Sequence, residues 1–176
     1  MIEQQGAKSS KPELEDVLGE VLSGETLKTA LDLTAFLREN KMKPAWSAAN
    51  VWKVTYKSYT VCFMRLYGSA EYHGVEEGTW QMIPFIGEYE AAALPDADKE
   101  IVWKNKRTCA NCGVCCLQLE HVFGKAYDHA CEKSVVFINP DARDAECAKK
   151  LIELRKNAVK EGKAKKHQYV AMKDRK

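Results

Sequence analysis

Five of the seven cysteines in this chain fall inside one short stretch, CANCGVCCLQLEHVFGKAYDHAC, at residues 109–131. The same stretch contains two histidines, His121 and His129. Thiolates and imidazoles are common ligands of Zn²⁺ in proteins, and thiolates also hold iron–sulfur clusters. The residue types and their spacing therefore predict a metal site or a reactive thiol centre, although a metal site does not by itself define a function.

The first two cysteines, Cys109 and Cys112, are separated by two residues and followed by Gly113, as is typical of a zinc knuckle. Two intervening residues let both thiolates reach one ion, and the glycine lets the backbone turn tightly beneath them. Cys115 follows Cys112 with the same two-residue spacing, so we prefer Cys115 to Cys116 as a further ligand. The predicted metal ligands are Cys109, Cys112, Cys115 and Cys131, with Cys116 and His129 as possible substitutes.

Other chemistries could use the same cysteines. The run C-x₂-C-x₂-C with a remote fourth cysteine also resembles an iron–sulfur ligand pattern, although the proline that typically follows the last ferredoxin ligand is missing. A C-x₂-C pair can instead be a reversible dithiol, and the cysteines could also be reduced and without a ligand. We prefer structural zinc, with iron or an iron–sulfur cluster as the alternative and thiol–disulfide chemistry as the second alternative.

Length and composition predict one soluble domain in a reducing compartment. A chain of 176 residues with 45% hydrophobic residues can bury a core without disulfides. The cysteine count is odd and the N-terminal residues lack the apolar run of a secretory signal, so we expect a cytoplasmic protein. We expect no membrane span, because the apolar stretches are far shorter than the roughly 20 residues that one needs. A net charge of +2 gives no overall attraction to nucleic acid.

Apolar residues at helical spacing predict two helices near the N-terminus. The first is expected to begin at Lys11 or Pro12 after a capping Ser10, and the second to cover residues 25–40. A later helix is predicted with Asn139 as its N-terminal cap and Pro140 at its first position. Its buried stripe includes Cys147. Shorter helical segments are predicted at residues 88–93 and in DADKEIVWKN.

Alternating patterns predict the strands. The runs VWKVTY and YTVCFMRLY read as a hairpin, and TWQMIPFIG reads as a third strand. Pro84 within that third strand favours an edge position or a bulge, because proline cannot donate a ladder hydrogen bond. SVVFI is expected to be a closing strand. Cys62 falls within the hairpin among apolar residues, so we expect it to be buried.

Together these elements predict an α+β fold, with an antiparallel sheet of about four to five strands packed against N-terminal and C-terminal helices and a cysteine-rich metal-binding loop. We divide the chain into a flexible arm at 1–11, a single domain at 12–160 that includes the cysteine-rich loop at 105–133, and a basic tail at 161–176. The tail has one aromatic residue, Tyr169, and no recognition-helix pattern, so it favours a solvated end over a nucleic-acid site.

The order of the helices, the hairpin VWKVTYKSYTVCFMRL, the strand TWQMIPFI and the closing segment SVVFINPDARDAECAKKLIELRK resembles the YdhG-like family. The resemblance implies a small bacterial α+β domain, in a family largely of unknown function. Some relatives are described as frataxin-like iron chaperones, which implies iron binding by carboxylates. No motif of this sequence matches such residues, and the cysteine-rich insert departs from the family pattern.

The sequence contains no nucleophile elbow, phosphate loop, HExxH motif or dinucleotide fingerprint, which favours a non-enzymatic role. We therefore expect a cytoplasmic α+β binding domain. Its partner would be a small ligand or a protein bound on the sheet, and structural zinc would stabilise the cysteine-rich loop.

Overall fold

The computed structural model describes residues 11–48, 50–66, 79–87, 94–107, 118–131 and 134–164, except the side chains of residues 118–120 and 127–131. These residues form four helices and seven strands. The helices are α1 Leu14–Val21, α2 Gly24–Glu39, α3 Asp96–Lys104 and α4 Ala142–Lys160. The strands are β1 Lys43–Ala48, β2 Val51–Tyr56, β3 Tyr59–Leu66, β4 Trp80–Pro84, β5 Gln118–Val122, β6 Lys125–Cys131 and β7 Phe137–Ile138.

Five of the strands form one antiparallel sheet in the order β1-β2-β3-β4-β7, and β5 pairs with β6 in a separate hairpin. This confirms the predicted α+β class and the predicted antiparallel sheet of about four to five strands, which has five. The predicted helix in DADKEIVWKN is confirmed as α3. The predicted helical segment at residues 88–93 lies outside the described part of the chain. Within that part, no helix has the length and apolar character needed to cross a membrane.

The main core lies between the four helices and one face of the sheet. Trp52, Met64 and Met82 point to this face from three neighbouring strands, and every helix contributes apolar side chains to the same cluster. Removing these side chains from water is the main favourable contribution to folding. The buried helix residues include Leu14, Leu18, Leu33, Leu37, Val102, Cys147, Leu151 and Ile152.

The opposite face of the sheet, called the second face below, carries a smaller apolar cluster. Phe63, Ile83, Phe85 and Val136 are buried there, and Val51 and Ile138 pack against them. None of these residues belongs to α1, α2, α3 or α4. The two faces of the sheet therefore have different surroundings. The described helices pack their apolar side chains on one face, and on the other the Arg155 guanidinium of α4 lies 5.9 Å from the centroid of the Phe85 ring.

The predicted bulge at Pro84 is wrong and β4 is not an edge strand, although Pro84 itself lies beyond the residues of β4 that pair with β7. Pro84 ends β4, which lies between β3 and β7 and keeps a regular register with β3. The Phe85 N–H donates to the Val61 carbonyl at 2.9 Å, and alternate residues of an antiparallel strand direct their N–H groups to opposite sides. The Pro84 nitrogen therefore faces away from β3. Since β7 pairs only with Gln81 and Met82, no ladder bond is lost there.

Two predicted helix starts are displaced. α1 begins at Leu14, with Glu13 rather than Ser10 before it, and Ser10 lies outside the described residues. α4 begins at Ala142, with Asp141 as its cap, so the prediction that Asn139 caps this helix is wrong.

Asn139 pairs with β4 instead. Its N–H donates to the Trp80 carbonyl at 2.9 Å, and its side-chain oxygen accepts from the Trp80 N–H at 3.0 Å. It has a φ of 43°, in the left-handed region that asparagine tolerates better than most residues. Asn139 therefore ends the sheet, and the helix begins two residues later than the sequence suggests.

Replacing Asp141 by alanine should destabilise the domain through α4. The Asp141 carboxylate accepts a hydrogen bond from the Asp144 N–H at 2.8 Å, and loss of such a cap lowers the free energy of unfolding by about 1 kcal/mol. Asp141→Asn keeps a hydrogen-bond acceptor at the same place, so its free energy of unfolding should fall much less. Urea unfolding of the three proteins measures the difference. Equal losses in both variants would assign the effect to the carboxylate charge rather than to the hydrogen bond.

Candidate functional site

The cysteine-rich segment, called the cysteine window below and comprising residues 108–133, leaves and re-enters the domain through adjacent backbone. The Arg107 N–H donates to the Ser134 carbonyl at 2.6 Å, and the Val136 N–H donates to the Asn105 carbonyl at 3.0 Å. Lys106 and Val135 form an antiparallel bridge between these two bonds. The two ends of the cysteine window are therefore held side by side by backbone pairing.

Within the cysteine window, β5 and β6 form an antiparallel hairpin that places Gln118 opposite Cys131 and Val122 opposite Lys125. The connecting residues, Phe123 and Gly124, both have positive φ values, 49° and 86°. A two-residue turn with positive φ at both positions matches the right-handed twist of the strands that it connects. This hairpin was not predicted from the sequence, although Gly124 between two short strand-like runs is a signal for it.

The tip of this hairpin docks on the domain. Val122 and Phe123 are only 1% and 5% exposed and belong to the main core. The Trp103 indole N–H on α3 donates to the Val122 carbonyl at 2.8 Å. The Lys125 ammonium lies 3.5 Å from the centroid of the Trp103 ring, which is a favourable cation–π geometry. Burial of the Phe123 ring helps to offset a backbone conformation that is unfavourable for phenylalanine.

The predicted metal ligands are only partly described. Cys109, Cys112, Cys115 and Cys116 lie outside the described residues. Cys131 and His129 lie on β6, where the backbone is described and the side chains are not. Among the side chains that the structure does describe, no three metal-binding residues come together.

His121 belongs to a different part of the hairpin. It lies on β5 opposite Ala126, next to the turn, and its side chain is exposed. Cys131 is at the other end of the hairpin, where β6 pairs with the first residue of β5. The register therefore separates His121 from Cys131 along the hairpin.

The two cysteines outside the cysteine window, Cys62 and Cys147, are free and fully buried, which confirms their predicted core positions. Burial raises the pKa of the Cys62 thiol. Burial, together with the nearby negative charge of Asp98, raises the pKa of Cys147 to about 12. A nucleophilic cysteine requires the thiolate form. Both thiols are therefore neutral core groups at neutral pH.

Asp98 lies beside Cys147 and links two helices. It is 8% exposed, and its carboxylate accepts from the Lys150 ammonium of α4 at 2.7 Å. The hydrogen bond to this carboxylate raises the pKa of Lys150. The Cys147 thiol is 3.6 Å from the Asp98 carbonyl oxygen. These contacts hold α3 against α4, and we assign the group a structural role.

The second face of the sheet contains an unusual polar residue, Gln81. It lies in a cross-strand row with Val51, Arg65 and Ile138. Its exposure is 0%, and neither its amide oxygen nor its amide nitrogen has a hydrogen-bond partner. Burying such a group without a partner costs about 1–3 kcal/mol. The sequence pattern did not indicate Gln81 as a functional residue, because one polar residue in a strand ordinarily has a solvent-facing position.

Comparisons of the chain with protein-family models, with curated proteins and with solved structures give no match. The resemblance to the YdhG-like family therefore stays a prediction.

Proposed function

We propose that this protein is a small α+β binding domain, which binds a small ligand or a protein on its sheet and is stabilised by structural zinc in the cysteine window. The proposed zinc ligands are Cys109, Cys112, Cys115 and Cys131, with Cys116 or His129 as a substitute. The observation that supports the zinc site best is the position of the β5–β6 hairpin inside a segment whose ends are paired.

The backbone around residues 108–117 supports a shared site. This stretch contains four cysteines, and the residues on both sides of it have fixed neighbours. Arg107 is hydrogen-bonded to Ser134, and Gln118 is opposite Cys131. The residues that flank the four-cysteine stretch on both sides, Arg107 and Gln118, therefore lie beside residues 131–134, the short segment that contains Cys131. Four thiolates brought within reach of one ion form the usual ligand set of structural zinc.

Zinc in this position would contribute to folding of the cysteine window. A metal that binds only the folded form of its site adds its binding free energy to the free energy of unfolding. The described anchors of the cysteine window are the backbone pairing at its base and the contacts of Val122, Phe123 and Trp103 at the hairpin tip. A metal ion would connect the thiolates between these two anchors.

The proposed ligand-binding surface is the second face of the sheet. The four described helices pack their apolar side chains on the other face, and the second face has a buried amide without a partner beside its apolar cluster. This combination supports binding at the sheet rather than an enzymatic centre at the cysteines. Iron or iron–sulfur handling, by a frataxin-like chaperone, and thiol–disulfide redox chemistry are the competing functions.

Protein purified without added metal or an affinity tag should contain about one zinc per chain. Cys109→Ser and Cys131→Ser each remove a proposed thiolate ligand, so both variants should lose most of the zinc. Cys147→Ala is the matched control, because Cys147 is a buried core thiol, and it should retain the metal. Elemental analysis with a visible absorption spectrum measures these contents.

Other metal contents would contradict the structural zinc. Iron with inorganic sulfide and visible absorbance would indicate iron–sulfur handling. Iron without sulfide would favour an iron chaperone. A metal-free protein with reactive thiols would leave two interpretations of the cysteines, thiol–disulfide chemistry or simple burial of the thiols.

The contact of the hairpin tip with Trp103 should increase zinc affinity. Trp103→Ala removes a hydrogen bond to Val122 and the cation–π contact with Lys125, so we expect an affinity about fivefold to tenfold lower. Competition with a chelator of known affinity measures this change.

Two further variants separate the contributions of this contact. Trp103→Phe keeps an aromatic ring but loses the N–H donor, and should have an intermediate affinity. Lys125→Ala should weaken zinc binding, whereas Lys149→Ala should not, although Lys149 also lies near an aromatic ring, that of Phe36. Unchanged affinity in Trp103→Ala would show that tip docking and metal binding are independent.

Thiol titration should distinguish the cysteine window from the core. In zinc-free protein under native conditions we expect five reactive thiols, the seven in the sequence less Cys62 and Cys147. Burial keeps these two thiols protonated and inaccessible. All seven should react in denaturant. Modification of Cys62 or Cys147 in the folded protein, located by mass spectrometry, would contradict their assignment to the core.

A further inference from the structure

Gln81 differs from other buried polar groups of this fold. The Thr34 hydroxyl, 1% exposed, donates to the Ala30 carbonyl at 2.9 Å. The Arg155 guanidinium, 2% exposed, donates to the Thr60 carbonyl at 3.4 Å. Among the described side chains, the buried nitrogen and oxygen atoms without a partner are the indole nitrogen of Trp80 and the two amide atoms of Gln81.

The unpaired indole N–H of Trp80 has a simple explanation, and the unpaired amide of Gln81 does not. Trp80 faces the main core, where its large ring buries enough apolar surface to offset one unpaired N–H. Gln81 contributes little apolar surface and leaves a donor and an acceptor unpaired. Leucine would fill a similar volume without this cost. A polar residue retained against stability is a characteristic of binding sites, where the partner is a ligand.

The surroundings of Gln81 limit what that ligand can be. Its cross-strand neighbours are Arg65 on β3 and Ile138 on β7, and Ile83 is the next residue of β4 on the same face. Phe63 is paired with Ile83. The centroid of the Phe63 ring lies 5.6 Å from that of the Phe85 ring, at an interplanar angle of 49°. The isoleucines and the two aromatic rings form apolar walls, which favour a flat, uncharged ligand because a charged group would lose its hydration there. Arg65 is half-buried and already has an interaction within the protein, so its charge does not require an anionic ligand.

The chemistry of the amide supplies the second limit. Its oxygen accepts hydrogen bonds and its NH₂ group donates them, side by side in one plane. The complementary ligand edge carries an adjacent donor and acceptor, as in a carboxamide, a lactam or a nucleobase. Glutamine recognises adenine through the same pair of bonds.

We propose that Gln81 is the recognition residue of a small-molecule site on the second face, and that the ligand is a neutral, planar heterocycle with an adjacent donor and acceptor. This inference rests on the proposed binding function of the sheet and is independent of the zinc. Because the Gln81 amide is fully buried, the ligand reaches it only when neighbouring atoms move, so association should be slower than for an open pocket.

Gln81→Leu tests both parts of the proposal. The variant should raise the Tm by about 3–6 °C, because it removes an unpaired buried amide. Adenosine, guanosine, uridine and nicotinamide are the probes, with affinities measured by calorimetry. At least one should bind the wild-type protein, and its affinity should fall about tenfold or more in the variant. Thr34→Val is the control: it removes a buried hydroxyl that has a partner, so it should not raise the Tm and should leave probe affinity unchanged.

Three results would overturn the proposal. A lower Tm in Gln81→Leu would show that the amide is hydrogen-bonded in solution. Equal probe affinity in both proteins would show that Gln81 does not contact the ligand. Failure of all four probes to bind the wild-type protein would exclude the proposed ligand class. None of these results depends on metal content, so the structural zinc stands or fails separately by elemental analysis.

Discussion

The backbone pairing between residues 105–107 and 134–136 is the constraint on which the arrangement of the cysteine window depends. It joins the end of α3 to the segment that leads into β7, and so closes the whole window at its base. Without this closure, the β5–β6 hairpin would be a long excursion with large conformational entropy. With it, a contact at the tip is enough to fix the hairpin against α3. The two ends of the cysteine window are therefore held together by backbone hydrogen bonds that involve no cysteine.

We assign different roles to the two faces of the sheet: one stabilises the fold, and the other is the proposed binding surface. The main core uses large apolar side chains from every helix, such as Leu37 and Leu151, and satisfies its buried hydroxyl at Thr34. The second face has a smaller cluster and a buried amide without a partner. A domain of this size has enough buried apolar surface on one face to tolerate a locally unfavourable group on the other. That difference is why we place the ligand on the second face.

Periodicity in the sequence was sufficient for the elements that form the main core. The spacing of Leu14 and Leu18 predicted α1, and the alternation around Trp52 and Met64 predicted the β2–β3 hairpin, because burial on one face produces these patterns directly. The same reasoning correctly assigned Cys62 and Cys147 to the core.

Features that depend on distant partners were not predictable in this way. Asn139 resembles a helix cap in sequence, but its side chain bonds to Trp80, 59 residues away. Pro84 suggested an edge strand, yet its missing N–H falls beyond the end of the short β7. β5 and β6 were hidden by cysteines that suggested a loop. Gln81 was not recognisable from the sequence, since its burial depends on the tertiary structure.

α3 connects the cysteine window to the rest of the domain. Its Asp98 pairs with Lys150 of α4, Val102 is buried in the main core, and Trp103 bonds to Val122 at the hairpin tip. A change in the hairpin would therefore reach α4 through one short, rigid helix and not only through the flanking backbone. If the cysteines bind zinc, part of the metal's binding free energy stabilises the contact between α3 and α4. Val136 links this connection to the second face, because it belongs to the cluster there and its N–H donates to the Asn105 carbonyl at the end of α3. Any energetic coupling between metal loading and ligand binding should therefore pass through this residue.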